Sequence, residues 1–474
     1  MFQLFVDRER ELKFLEERYS SSEPELLVVY GRRRIGKTAL LLHFVRNKPH
    51  VYFLATEKPV KDSVRELKEL FADYLKDELF RLADIRDFET LFREFFLRKE
   101  SEKIVLIIDE FPVLIDGYKP VVSIFQRSWD TFLSKRSDVL LILCGSSIGM
   151  METDVLGYRS PLYGRRTGQW MLDEMDFFNA SGFFPNYATD DLVKVYSVVG
   201  GVPSYLASFN GRKTFEKNLV ENIFSRGGYL YEEAEILLKQ ELRKPANYFA
   251  ILRAVAAGKE SFGEIVNETE LDKSLVSKYL SVLQSLRIVE RELPAFSSIK
   301  AKTRMKKGRY TIVDNYFRFW FRFVYPNSGM LESGELDTFM LKFNKEFNSY
   351  LGEVFEDICR KHILRRLIGD PFLEVGRWWH KGTEIDIVAS NSRIIAAEVS
   401  WQNLSGKEAA SILETLEAKA EKIESTKKKH YVLVAKKVED KNKLQNTNHS
   451  AYDLEDVAKL IGRPPYKDLS KKTR

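Results

Sequence analysis

The stretch LVVYGRRRIGKTALLL, residues 27–42, decides the fold. Its opening residues, with Leu26, form an apolar run of strand length that stops at Gly31, and an apolar-periodic helical segment follows from Ala39. Between them lies a G-x4-GKT loop made of Gly31, Arg32, Arg33, Arg34, Ile35, Gly36, Lys37 and Thr38. A glycine-rich loop in that setting turns successive main-chain N–H groups and a helix N-terminus toward one concave spot, where they stabilise phosphate oxygens. The same pattern sends Lys37 to the β- and γ-phosphates and sets the Thr38 hydroxyl on Mg²⁺. The expected ligands are ATP or ADP with magnesium, held by residues 31–39.

Outward from this loop, a second strand is expected at 51–55 (VYFLA) and a helical stretch over roughly 60–98. IVLIIDEF (104–111) is a continuous apolar run closed by Asp109 and Glu110, and LLILCGSS (140–147) repeats that design with Ser146 and Ser147 at its end. Strands alternating with long helical stretches imply a parallel sheet covered by helices. Asp109 is the expected carboxylate that holds the metal through water, and Glu110 the one that orients the attacking water. The two serines either sense the γ-phosphate or cap the following helix.

Composition bounds what surrounds this core. At 474 residues the chain has room for several domains, and 44% hydrophobic with 13% aromatic residues excludes a disordered or fibrous chain. With 75 Lys+Arg against 69 Asp+Glu the net charge is +6, which permits a polyanion partner without demanding one. Cys144 and Cys359 stand far apart with no Cys or His at metal-ligand spacing, so a disulfide scaffold, a zinc ribbon and a CxxC redox site are disfavoured. The first residues lack an apolar signal core and no run reaches about 18 apolar residues, so the expected location is the cytoplasm, without a membrane partner.

Several motifs together resemble the archaeal ATPase family of STAND-type P-loop NTPases, relatives of the AAA+ proteins, over roughly residues 1–330. FVDREREL (5–12) looks like the family's opening box, GRRRIGKT (31–38) its Walker A motif and IVLIIDEF its Walker B motif. SPLYGRRT (160–167) and GGVPSYL (200–206) look like the arginine-bearing segment and the glycine-proline motif of a helical lid. The resemblance implies that the opening box packs near the adenine, that Arg165 or Arg166 touches the γ-phosphate, and that Pro203 lies near the nucleotide.

Within 245–310, three segments of helix length precede a run holding Lys300, Lys302, Arg304, Lys306, Lys307 and Arg309 and a short strand YTIV, the pattern of a winged helix. Asp272 is the expected N-cap of the third helix, with Lys273, Ser274, Ser277 and Lys278 on an exposed face near its start, where such helices reach a DNA major groove. Lys306 and Lys307 would contact phosphates from the wing. A protein-binding role for the same module stays open.

The module is expected to end near PNSG (326–329), and a helix over 346–368 then opens the last domain. Three β-rich runs (372–378, 383–390, 393–400), a helix (406–424) and a strand (431–435) follow, an order that matches the PD-(D/E)xK nuclease fold. Asp386, two residues after Glu384, and Glu398 across an Asn-Ser turn should meet on neighbouring strands as Mg²⁺ ligands, with Glu356 from the helix as a third acid. The motif's lysine is replaced by Ser400, with Lys381 and Lys407 the nearest substitutes by sequence, and Trp378, Trp379 and Trp401 could stack on bases.

The sequence thus predicts an α/β protein with a P-loop ATPase core (1–170), helical lid (171–240), winged helix (241–325) and restriction-endonuclease-like domain (326–474). The expected function is a Mg²⁺-dependent ATPase that couples ATP binding and hydrolysis to DNA binding or processing, with a degenerate or active nuclease-like end. The alternatives are a signalling or scaffold switch that assembles as a homo-oligomer, and an ATP-responsive DNA-binding regulator.

Overall fold

The computed structural model describes residues 6–242, 245–296 and 308–461, in two compact units, Met1–Glu174 and Met175–Arg474. In the first unit, β1 (Glu25–Tyr30), β2 (His50–Leu54), β3 (Ile104–Asp109), β4 (Val139–Gly145) and β5 (Gly168–Met171) form a sheet of order β2-β3-β4-β1-β5. Every pairing is parallel. Strands β1, β3 and β4 are buried along their whole length, as central strands with helices on both faces must be.

The helical stretch expected over 60–98 is three helices, Val60–Leu75, Glu78–Leu82 and Phe88–Arg98. Asp77 and Asp87 restart the chain by accepting the Phe80 and Thr90 N–H groups, capping bonds that apolar periodicity does not register. Phe71, Phe80, Phe88, Phe92 and Phe95 from these helices pack with Phe125 on one side of the sheet. Leu15, Leu40, Leu41 and Phe44 cover the other. The region near 170, expected to be helical, instead adds β5 beside β1.

The second unit holds the other expected segments. Helix Thr189–Val199 ends at Gly200, and Gly201 crosses so close to Met175 that a Cβ would lie 1.9 Å from its carbonyl oxygen. Pro203 opens the helix Pro203–Leu206. Helices Ala246–Ala256, Phe262–Thr269 and Lys273–Ser285 precede an antiparallel pair, β6 (Val289–Glu292) and β7 (Arg309–Ile312), which is the winged-helix order. The chain does not break at PNSG. It stays helical from Asn315 to Glu332, turns at Ser333–Glu335 and enters the helix Leu336–Ile358, and Phe323 packs on Phe343 at 5.1 Å between ring centroids.

The last sheet has order β12-β11-β10-β9-β8, from β8 (Glu374–His380), β9 (Thr383–Ser390), β10 (Ile394–Leu404), β11 (Lys429–Val438) and β12 (His449–Tyr452). β8, β9 and β10 run antiparallel, and β10, β11 and β12 run parallel. Helix Gly406–Ala420 links β10 to β11, and β12 with helix Leu454–Leu460 lies beyond what the sequence suggested. Among the described residues no helix is long and apolar enough to cross a membrane.

Candidate functional sites

The G-x4-GKT loop leaves the C-terminal edge of β1. Gly31 has φ +152°, and a Cβ there would sit 2.4 Å from the Leu172 carbonyl oxygen, so that position admits no side chain. Arg34 and Gly36 also take positive φ, +71° and +87°. The loop so formed lets Lys37 fold back, its Nζ donating to the Gly31 and Arg32 carbonyls at 2.9 Å each. Burial lowers the Lys37 pKa, opposed by Cys144, Glu110 and Asp109 nearby. Helix Lys37–Val45 begins at Gly36, which has no side chain to cap the first turn, and the N–H groups of that turn suit an anion.

The acidic pair at the end of β3 is held from both neighbouring strands. Asp109 is buried, and its Oδ2 accepts from Thr38 Oγ1 at 2.6 Å and from Tyr52 Oη at 2.8 Å. Its Oδ1 accepts the Glu110 N–H at 2.9 Å. Burial and the Asp109 charge push the Tyr52 phenol pKa up, so it stays protonated. Glu110 turns outward at φ +53°, and Ser146 Oγ donates to its Oε2 at 2.7 Å. Neither serine acts as a cap: Ser147 precedes the turn Ile148–Met150 without a side-chain bond to it. Tyr52 escaped the sequence reading, and its one signal was a polar tip on an otherwise apolar strand.

Two further arginines brace the loop. Arg8, buried and at φ +76°, donates from NH2 to Ile35 O at 3.1 Å and Asp173 O at 2.9 Å, while NH1 pairs with Glu11 at 2.9 Å. Arg32 pairs with Glu174 at 2.9 Å. The opening box is thereby tied to the phosphate loop and to the end of the first unit.

Arg165 and Arg166 stand at the opposite edge of the sheet from this loop. The Thr167 N–H donates to Leu26 O, at the start of β1, while the loop begins after Tyr30 at its end. At about 3.3 Å per residue the separation is roughly 16 Å, beyond an arginine's reach, so neither touches a γ-phosphate held by its own chain in this conformation. Arg165 pairs with Asp130 at 3.0 Å. One guanidinium nitrogen of Arg166 is buried without a hydrogen-bond partner among the described residues.

In the winged helix, Lys273, Ser274, Ser277 and Lys278 are all exposed on helix Lys273–Ser285. Asp272 holds the N-cap position, although its side chain makes no capping bond. Lys306 and Lys307, with Lys300, Lys302 and Arg304, lie outside the described residues. Arg309 does not face outward as a wing cation. It forks onto Glu384 at 2.6 and 3.0 Å and covers the Trp379 ring at 4.6 Å.

The hairpin β9–β10 does bring Asp386 and Glu398 together, with the Val399 N–H donating to Asp386 at 2.8 Å. Burial and Asp386 push the Glu356 pKa up to about 8 and that of Glu398 to about 7. The three acids share one electrostatic site. Among the described residues, however, no three such side chains close into a metal-ligating group. Glu398 is paired instead with Lys419 Nζ, 2.7 Å away on helix Gly406–Ala420. That lysine, and not Lys381 or Lys407, is the cation bonded to Glu398. Sequence distance hid it, since the cation arrives from the next helix. Trp378 packs in the core and Trp401 meets Phe355 edge-on at 5.0 Å.

A phosphate loop on the edge of a parallel sheet, with the Thr38–Asp109 pair beside it, defines a P-loop ATPase. An ATPase domain model predominantly from Archaea matches residues 5–209, a bacterial arsR-type regulatory model residues 249–291, and a model of archaeal and bacterial proteins of unknown function residues 320–412. An uncharacterised protein of Methanocaldococcus jannaschii is 37% identical over 463 residues, 96% of this chain and all of that one. The chain belongs to this archaeal ATPase family. An uncharacterised ATP-binding protein of Pyrococcus abyssi is 25% identical over 290 residues, 52% of this chain and 84% of its own. The fold is shared with a Walker-type ATPase of Pyrococcus abyssi at a TM-score of 0.50 and 20% identity, covering 67% of this chain and 96% of that one.

Proposed function

We propose that this ATPase depends on magnesium and couples its nucleotide state to DNA binding by the winged helix. The observation that carries the reading is the Thr38–Asp109 bond beside an uncapped helix N-terminus, a donor set that fits a magnesium nucleotide. Gly31 to Ala39 hold the phosphates, with Lys37 neutralising charge on the β- and γ-phosphates. Thr38 would hold the metal directly and Asp109 through water, and Glu110, once released by Ser146, would orient water for attack on the γ-phosphate. Bound magnesium supplies charge neutralisation at the phosphates. The position of Arg165 and Arg166 favours action on the nucleotide of another copy, with Arg166 the better candidate because Arg165 is committed to Asp130. The reading therefore includes a homo-oligomer in the hydrolytic state.

On the DNA side, Lys273, Ser274, Ser277 and Lys278 form the candidate contact face, and Lys306 and Lys307 remain candidate phosphate contacts. The Arg32–Glu174 pair supports coupling, since it bonds the phosphate loop to the residue from which the chain enters the second unit. The test is duplex DNA affinity at one fixed salt concentration, without nucleotide, with ADP and with a non-hydrolysable ATP analogue. A shift of several-fold between the nucleotide states is expected. Equal affinities refute the coupling, and nucleotide-dependent assembly without DNA binding supports the scaffold reading instead. Lys37→Ala should abolish turnover with the fold intact, and turnover at the wild-type rate would refute the site assignment.

The Lys419–Glu398 pair favours a second activity, metal-assisted phosphodiester cleavage at Asp386 and Glu398, two carboxylates that would suffice for a magnesium keeping its waters, with Lys419 as the charge-stabilising group. Cleavage of supercoiled DNA with Mg²⁺ or Mn²⁺ that disappears in Asp386→Ala would establish it. DNA binding without cleavage under any metal would make the domain an inactive relative of that fold.

A further inference from the structure

We infer that Tyr52 confines Asp109 to water-mediated contact with the metal and so sets which divalent ion the nucleotide site prefers; the inference rests on reading residues 31–39 and 109–110 as a magnesium-nucleotide site. An ionised carboxylate offers about four lone-pair positions. On Asp109 both positions of Oδ2 are taken, by Thr38 Oγ1 at 2.6 Å and Tyr52 Oη at 2.8 Å, and one of Oδ1 is taken by the Glu110 N–H at 2.9 Å. The Cys144 thiol also bonds to Asp109, as a weak donor that a metal-bound water can displace, so at most one position is open to such a water. That position suffices for a hydrogen bond from a metal-bound water, and it does not let the carboxylate swing onto the ion without breaking a bond already made.

The Thr38 bond does not compete with this, because its hydroxyl can donate to Asp109 while a lone pair faces the metal. Tyr52 is the added constraint. It comes from β2, whose register sets Tyr52 against Ile107 and Leu54 against Asp109, so the phenol is carried by the sheet and not by a loop. Magnesium keeps its waters and dehydrates reluctantly, whereas calcium takes carboxylates directly, at longer distances and in variable geometry. A carboxylate limited to water-mediated contact therefore favours magnesium. Removing the phenol oxygen frees a second position and lets Asp109 turn toward a larger ion.

The test is Tyr52→Phe, which keeps the ring in its strand, made in the full chain. ADP affinity is measured by calorimetry in EDTA, in magnesium and in calcium, so the readout is binding and not turnover. The expected result is an unchanged affinity in EDTA and a calcium-to-magnesium affinity ratio raised about tenfold, the scale of one charge-assisted hydrogen bond. Tyr52→Leu, which removes ring and hydroxyl together, should raise the ratio by a similar factor. A ratio equal to wild type in both variants makes Tyr52 a packing residue and overturns the inference. Wild-type protein whose ADP affinity does not respond to magnesium would overturn the site assignment itself, which distinguishes the two failures.

Discussion

Replacing Arg8 with alanine should weaken nucleotide binding although the residue sits outside the phosphate loop. Its guanidinium donates to Ile35 O inside the loop and to Asp173 O beside it, and pairs with Glu11. Hydrogen bonds from a charged donor are worth roughly 1.5–3 kcal/mol each, so the two carbonyl bonds together hold the loop by about 3 kcal/mol at the low end. Asp7 and Arg8 both lie at positive φ, 59° and 76°, a conformation that costs non-glycine residues on the order of 1–3 kcal/mol and persists only where surroundings impose it. Alanine keeps that strain and loses the bonds. If the free loop then relaxes and must be rebuilt on binding, ADP affinity falls by up to about 100-fold at ~1.4 kcal/mol per decade. Arg8→Lys should fall between, because one ammonium cannot span acceptors that a planar fork reaches together. Calorimetric titration with ADP, beside a thermal melt to verify folding, measures this. Arg8→Ala protein that is folded and binds ADP within threefold of wild type would refute the argument.

Asp357→Asn should lower the stability of the second unit by about 3–5 kcal/mol, the usual cost of removing one partner from a buried ion pair. Burial opposes its charge, but Arg318 at 2.7 Å and Arg360 at 2.5 Å hold its pKa well below the ordinary aspartate value. That contribution is present at neutral pH and is lost on acidification through the lowered value, so wild type and variant should converge in strong acid; a constant gap in unfolding temperature would count against it. Glu356 behaves in the opposite sense. With its pKa pushed up to about 8 from a usual 4.5, the folded state binds the proton more tightly, so wild-type stability declines as pH rises through that window. Glu356→Gln should remove the decline, and parallel melting curves of the two proteins in EDTA from pH 5 to 8 would show the shift to be absent.

The phosphate loop, the acidic strand end and the three helices of the winged module were legible because each is encoded locally. Strand, glycines and helix around Lys37 lie within a few residues of one another, and Asp109 closes its own apolar run. What stayed hidden depends on residues far apart in sequence. Tyr52 meets Asp109 only because β2 pairs with β3, and Lys419 meets Glu398 only because helix Gly406–Ala420 folds back over β10. Arg8 reads as one charge among many in an amphipathic segment until its loop partners are known. Arg165 and Arg166 show the reverse case, in which a motif fixed residue type while sheet register fixed position, at the edge away from the loop. The helix breaks at Asp77 and Asp87 were in principle readable, since an aspartate three residues before a free N–H is a local signal.

The winged module is joined to the last sheet by a set of charge pairs, and this bears on how the two candidate DNA sites relate. Arg309 on β7 forks onto Glu384 of β9, and Arg360 reaches both Glu292 of β6 and Asp357. Arg377 on β8 lies within 3.6 Å of Glu260 and 3.3 Å of Glu356. Main chain follows the same line, with the Ala295 N–H donating to Arg377 O at 2.8 Å. Separating the module from the sheet would break these pairs, of which the buried Arg360–Glu292 pair matters most and the half-exposed Arg309–Glu384 fork least. The desolvation penalty for such networks falls as temperature rises, so the joint holds best when hot. The exposed face of helix Lys273–Ser285 is thus carried on the same body as the Asp386–Glu398 pair. A duplex that occupied both at once would do so at a fixed offset, so any cleavage should fall at a constant distance from the bound site rather than be scattered around it.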